Sequence, residues 1–142
     1  MKKWIIAAAV ALPFIAHAAQ IEPGNWEFTV DLRAKGLGAF QPKPGPMTKT
    51  RCITPEEASN PAKVVSDAVA RGECQLSNGQ DTGSELSFDV KCTGRVPMQG
   101  SGKMRYSAEN IDGNVNLDGD AQGMHFTSRS HVRAKRLGAC TF

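Results

Sequence analysis

Four cysteines, Cys52, Cys74, Cys92 and Cys140, constrain this chain more than any other feature. None belongs to a Cys-x-x-Cys pair and no His-x-x-x-His accompanies them, so the spacing does not suit zinc. An even count in a small domain reads as two disulfides, provided that the chain reaches an oxidising compartment. The N-terminus supplies that condition. Lys2 and Lys3 precede an apolar run from Trp4 to Ile15, and Ala16-His17-Ala18 offers the small-x-small pattern of signal-peptidase cleavage. The run is too short for a bilayer core of about 30 Å. No second apolar segment follows, and no cysteine stands at the cleavage point to carry a lipid. Residues 1–18 are therefore expected to be a cleaved leader, and 19–142 a single domain without membrane anchor. The expected location is the periplasm, with extracellular release as the alternative.

Removing 18 of 142 residues leaves 124, enough for one domain with its own core. The leader takes two lysines with it, so 15 basic residues face 14 acidic ones. A balance so close to neutral does not point to nucleic acid.

The mature sequence is mostly strand-like. In "NWEFTVDL", Trp26, Phe28, Val30 and Leu32 alternate with Glu27, Thr29, Asp31 and Arg33, the pattern of a half-buried strand. "AKGLGAFQPKPGPM" carries three glycines and three prolines and reads as a mobile loop. "TKTRCI" is a short second strand. "TPEEASNPAKVVSDAVARG" alone is helical. Thr54 can cap, Pro55 fits the first helical position and Glu57 completes a capping box. Asn60-Pro61 restarts the pattern, Val64, Val65, Ala68 and Val69 form one stripe, and Gly72 stops it. Two linked helical pieces are expected.

Beyond Gly72, "CQLSN", "SELSFDVKC", "KMRYSAE", "NVNLD" and "MHFTSRSHVRA" alternate again between Gly, Asn and Asp turns. The fold class is mostly β (α+β). The expected architecture is a curved antiparallel meander of about six to eight strands with a short helical segment packed on it. Four cysteines allow three pairings. A hairpin centred near Gly83 sets Cys74 opposite Cys92 on the inward face, which favours Cys74–Cys92 and leaves Cys52–Cys140.

The "GNWEFTV" start, "TRCIT" before a helix, a central cysteine pair and the closing "AKRLGAC" resemble a family of small exported proteins of Gram-negative bacteria, domain of unknown function 3617. The resemblance spans most of the mature chain. It implies an exported, disulfide-bearing, β-rich domain and carries no reaction with it.

Candidate sites are few. The outward face of the last strand reads Arg129, His131, Arg133, Lys135, and with Lys91, Lys103 and Arg105 it could form a basic stripe for anionic envelope material. Leu37 and Phe40 are the candidate contacts of the Gly/Pro loop. His125 and His131 are six residues apart on one strand, roughly 20 Å, and cannot share a metal. "DGNVNLDGD" places Leu117 where a calcium loop needs glycine. Neither a cofactor nor a metal is called for, and no Gly-x-Ser-x-Gly or His-Glu-x-x-His motif occurs.

The favoured expectation is a non-enzymatic binding or accessory domain for an envelope component, whether protein, polymer or small apolar ligand. The alternatives are a carrier of a small apolar ligand in a half-barrel pocket and a small periplasmic hydrolase using Asp118 or Asp120. A cavity lined by Trp26, Phe28, Phe88 and Phe126 would favour the carrier. A filled core would favour a working surface, and carboxylates converging with a histidine in a cleft would favour the enzyme.

Overall fold

A computed structural model describes residues 21–36, 38, 43, 45–69, 73–94, 96–121 and 123–141. The leader, Leu37, Phe40, Gly72 and the side chains of Ala68 and Val69 lie outside the described residues.

The chain runs β1 (Gly24–Lys35), β2 (Pro46–Ile53), α1 (Pro55–Ala58), α2 (Pro61–Val69), β3 (Cys74–Asp81), β4 (Glu85–Cys92), β5 (Met98–Tyr106), β6 (Asn110–Ala121) and β7 (Met124–Gly138). All seven strands form one open antiparallel sheet in the order β2-β1-β7-β6-β5-β4-β3. From β3 to β7 it is a meander. The β1–β2 hairpin then docks on the far side of β7, so the first strand pairs with the last. Both ends of the Gly/Pro stretch belong to strands, which shortens the expected loop. Ala34 and Lys35 pair with Ser128 and Thr127, while Pro46 and Met47 pair with Asp31 and Val30.

Alternation divides the sheet into two faces. Inward lie Trp26, Leu86, Phe88, Val90, Met104, Ile111, Val115, Phe126 and Val132, all buried, with Phe28 and Val30 partly covered. The helices lie on this face through Ala58, Val64 and Val65. The capping box is formed as the sequence predicts: Glu57 N donates to Thr54 Oγ1 and Thr54 N to Glu57 Oε2. That backbone donor, together with Arg51, holds the Glu57 carboxyl below its ordinary value. Arg51 and Lys49 point inward from the edge strand β2, and inward charges keep an exposed edge from recruiting another strand. Arg51 is satisfied there by Glu57, with Asp67 3.8 Å away.

Glycine fills the core rather than hollowing it. A Cβ on Gly102 would overlap the Phe88 ring, one on Gly119 the Phe126 ring, and one on Gly113 the Met104 sulfur. Large side chains thus lie directly on the backbone of β5 and β6. Trp26, Phe88 and Phe126 are buried and Phe28 is partly buried, and neither of the two depressions described below is lined by Trp26, Phe28 or Phe126.

The first and last motifs of the family resemblance, with Cys52, converge at one corner, while the central cysteine pair lies at the other edge of the sheet. Gly24 approaches Gly138 and Arg136 so closely that a Cβ would overlap both, and its φ of +152° is one that side chains avoid. Arg136 Nε donates to the Pro23 carbonyl at 2.9 Å, and Trp26 Nε1 donates to the Glu22 carbonyl at 2.9 Å. Beside them Cys140 is bonded to Cys52, and Cys74 faces Cys92 across the β3–β4 hairpin and is bonded to it. The first disulfide joins residues 88 apart, a staple worth about 4–5 kcal/mol in the chain-entropy model.

Two measurements test this packing. Gly102→Ala is expected to cost about 1–3 kcal/mol of stability, with part recovered by adding Phe88→Leu; an unchanged denaturant midpoint would mean that Phe88 does not lie on β5. Tyr106, the only tyrosine, is buried and donates to Asp81 Oδ1. Burial first, and the Asp81 carboxylate second, push its pKa up to about 12. A raised folded value stabilises the fold fully below the unfolded value near 10, and that contribution is lost as pH rises through about 12. The phenolate absorbance is therefore expected to titrate near 12, and lower in Asp81→Asn; a wild-type midpoint near 10 would place the ring in solvent.

Candidate binding face

The outer face is mostly polar. From β1 it receives Glu27, Thr29, Asp31 and Arg33; from β7, His125, Arg129, His131, Arg133 and Lys135; from β6, alternating Asp and Asn from Asn110 to Asp120. Lys91, Lys103 and Arg105 complete it from β4 and β5. The stripe residues Arg129, His131, Arg133 and Lys135 therefore stand in one column, as alternation on a single strand requires.

Register decides what faces that column. Lys135 stands opposite Glu27, and Arg133 stands opposite Asp112. His131 Nε2 lies 3.2 Å from Asp112 Oδ1, and His125 Nδ1 lies 3.1 Å from Asp120 Oδ1. Each histidine thus meets its own carboxylate, but on open surface rather than in a cleft. Asp112, Asn114 and Asn116 project outward from a strand and do not encircle a cation; among the described residues no cluster of His, Cys, Asp or Glu could hold a metal.

Arg129 differs from its neighbours. It stands opposite Arg33 on one side and Asn116 on the other. Like charges directly across a strand pair cost a few tenths of a kcal/mol to about 1. Arg33 is 81% exposed and its nearest carboxylate, Asp31, is 3.9 Å away. Among the described residues no carboxylate lies within 4.0 Å of Arg129.

The same rung continues from Asn116 to Ser101 and Asp89. Ser87 and Ser101, being short, floor an open depression of about 410 Å³. Asn78, Asp89, Asn114 and Asn116 surround it, with Lys103 on the rim. Asn78 has φ +52°, at the bulge where β3 slips against β4, and its amide donates to Asp89 Oδ2 at 2.7 Å. Bulges re-aim side chains in this way. Lys103 lies 3.3 Å from Glu85, and with Arg105 it holds that carboxyl below its ordinary value.

With the fold and this face in view, comparison with known families is informative. A model described as "Protein of unknown function (DUF3617)" matches residues 21–140. The chain belongs to the DUF3617 family. The match begins at the docked N-terminal segment and ends at Cys140, so this family's domain is the stapled sheet itself. No curated protein and no solved structure matches the chain. In this DUF3617 chain the motif residues Gly24, Trp26, Gly138 and Cys140 hold a corner together. The outer-face residues lie elsewhere. Sequence reasoning placed Arg33 outward but had no signal for its neighbour Arg129, because periodicity does not encode which distant strands pair. It ends a strand at Asn78 and takes Gly79 to Gly83 as the connection, whereas β3 continues through the bulge to Asp81.

Proposed function

We propose that the protein is exported and acts outside the cytoplasm as a non-enzymatic binding domain whose working part is the outer face of the sheet, led by Arg129, Arg133 and Lys135. The observation that carries this proposal is the filled inner face. Phe88, Phe126 and Met104 occupy the space that inward glycines on β5 and β6 leave, so over that part of the sheet the free surface is the polar one. Export is supported by the leader-like N-terminus and by two disulfides, which persist in oxidising compartments. Cations over a polar face suit anionic surfaces of a Gram-negative envelope.

One observation favours a second reading, the carrier. A groove of about 320 Å³ lies beside α2, floored by Leu76, Leu86 and Phe88 with Ala62 above. Its open form and modest apolar floor suit a short apolar group better than a whole enclosed ligand.

The test is co-sedimentation of residues 19–142, disulfides intact, with the bacterial envelope fraction. The triple variant Arg129→Glu, Arg133→Glu, Lys135→Glu is expected to bind about tenfold more weakly, about 1.4 kcal/mol, with an unchanged thermal midpoint. Undiminished sedimentation of a folded variant would overturn the outer-face reading. A stoichiometric apolar molecule in native mass spectra of the periplasmic protein would favour the carrier.

A further inference from the structure

We infer that the rung running from Arg33 through Arg129, Asn116 and Ser101 to Asp89 binds an acidic saccharide chain, that is, a polyhydroxylated polymer bearing carboxylates. The inference rests on the outer-face reading and names the chemistry that face selects.

Three observations converge on it. The first is the guanidinium pair. Arg33 and Arg129 are directly opposed, and among the described residues the one carboxylate within 4.0 Å of either is Asp31, 3.9 Å from Arg33. Two guanidinium groups on directly opposed residues suit an oxyanion, which would also relieve their mutual repulsion. The second is the depression beside them. Its about 410 Å³ falls within the usual range of small-molecule sites. Its lining offers amides from Asn78, Asn114 and Asn116, hydroxyls from Ser87 and Ser101, and the Asp89 carboxylate. Amides and hydroxyls both donate and accept, as sugar hydroxyls require, while a carboxylate accepts from hydroxyls. Asp89 is held for this by the Asn78 amide at one oxygen.

The third is alignment. The residues are register partners across five neighbouring strands, so they form one continuous row over the sheet. At about 4.8 Å per strand the line is roughly 19 Å long, and Ser101 lies roughly 10 Å from Arg129. An extended chain can therefore seat sugar rings over Ser101 and Asn116 while a carboxylate reaches the arginines. Short side chains at Ser87 and Ser101 keep the middle of the line low. A plain phosphate surface would need only the cations; the amide and hydroxyl floor is what adds the sugar.

The remaining charges on the path are consistent with an acidic but not densely charged chain. Asp118 stands one rung away from Arg129, opposite Thr127, and Asp112 is engaged by His131. A polyphosphate, charged at every phosphorus, would meet these carboxylates, whereas a polyuronate carries one carboxylate per sugar ring and so spaces its charges more widely.

The test uses residues 19–142 with intact disulfides and three probes at physiological salt: polygalacturonate, its methyl ester, and inorganic polyphosphate. Isothermal titration is expected to give polygalacturonate at least about tenfold tighter binding than either of the others. The ester lacks the charge and polyphosphate lacks the hydroxyls. Arg33→Gln with Arg129→Gln, and separately Asn116→Ala with Ser101→Trp, are each expected to weaken polygalacturonate binding by about tenfold. Thermal midpoints are measured alongside. If either double variant fails to fold, Arg33→Lys with Arg129→Lys, which keeps the charge but not the fork, is expected to lose part of the affinity. Equal binding of polyphosphate, with Asn116 and Ser101 silent, would overturn the saccharide assignment and leave the basic outer face in place. Absence of binding to all three probes would overturn it as well. Loss of envelope co-sedimentation in Arg133→Glu with Lys135→Glu, which leaves the rung intact, is read independently, so failure of the two proposals is distinguishable.

Discussion

β1 hydrogen-bonds to β7 along eleven register pairs, from Asn25–Gly138 to Lys35–Thr127, and that pairing of first strand with last holds the whole sheet. Without it the β1–β2 hairpin would have no other strand to join, because β2 is paired only with β1. The contact is long-range, so the chain must close a large loop before it gains anything. What offsets that cost is concentrated at one corner. Gly24 lets β1 lie against Gly138, Arg136 clamps the Pro23 carbonyl, Trp26 is buried with its N–H satisfied by Glu22, and the Cys52–Cys140 bond closes the loop covalently. Cys140 thus has a structural purpose.

Once that corner is fixed, the two faces follow from strand alternation and take different roles. The inner face is close-packed because glycines on β5 and β6 admit aromatic and thioether side chains onto the backbone. The outer face carries the charges and amides. Its salt bridges are exposed and contribute little to stability individually. Substitution there is thus expected to affect binding more than folding, whereas inward substitutions act on the fold.

Much of this was legible in the sequence, and the exceptions have physical causes. The alternation from Trp26 to Leu32 and from Leu86 to Cys92 gave both the strands and the inward cysteine, hence the pairing of Cys74 with Cys92. The Thr54–Glu57 capping box gave the start of α1. The alternation marks β5 only from Lys103 onward, because Pro97, Gly100 and Gly102 resemble loop; those glycines are strand residues whose missing side chains Phe88 and neighbouring backbone replace. The basic column was legible as a column but not as a site. Its surroundings, Glu27, Asp112 and above all Arg33, come from strands whose order no local pattern encodes.

The central claim is this division of labour, with a filled inner face and a working outer one. Side-chain NMR titration of residues 19–142 with envelope extract examines both faces in one experiment. The account predicts shifts in the Nε–Hε signals of Arg33, Arg129 and Arg133, and no change in the methyl signals of Met104, Val115 and Val132. The reverse pattern, with inner methyls moving and the arginines still, would contradict it and identify the inner face as the binding site.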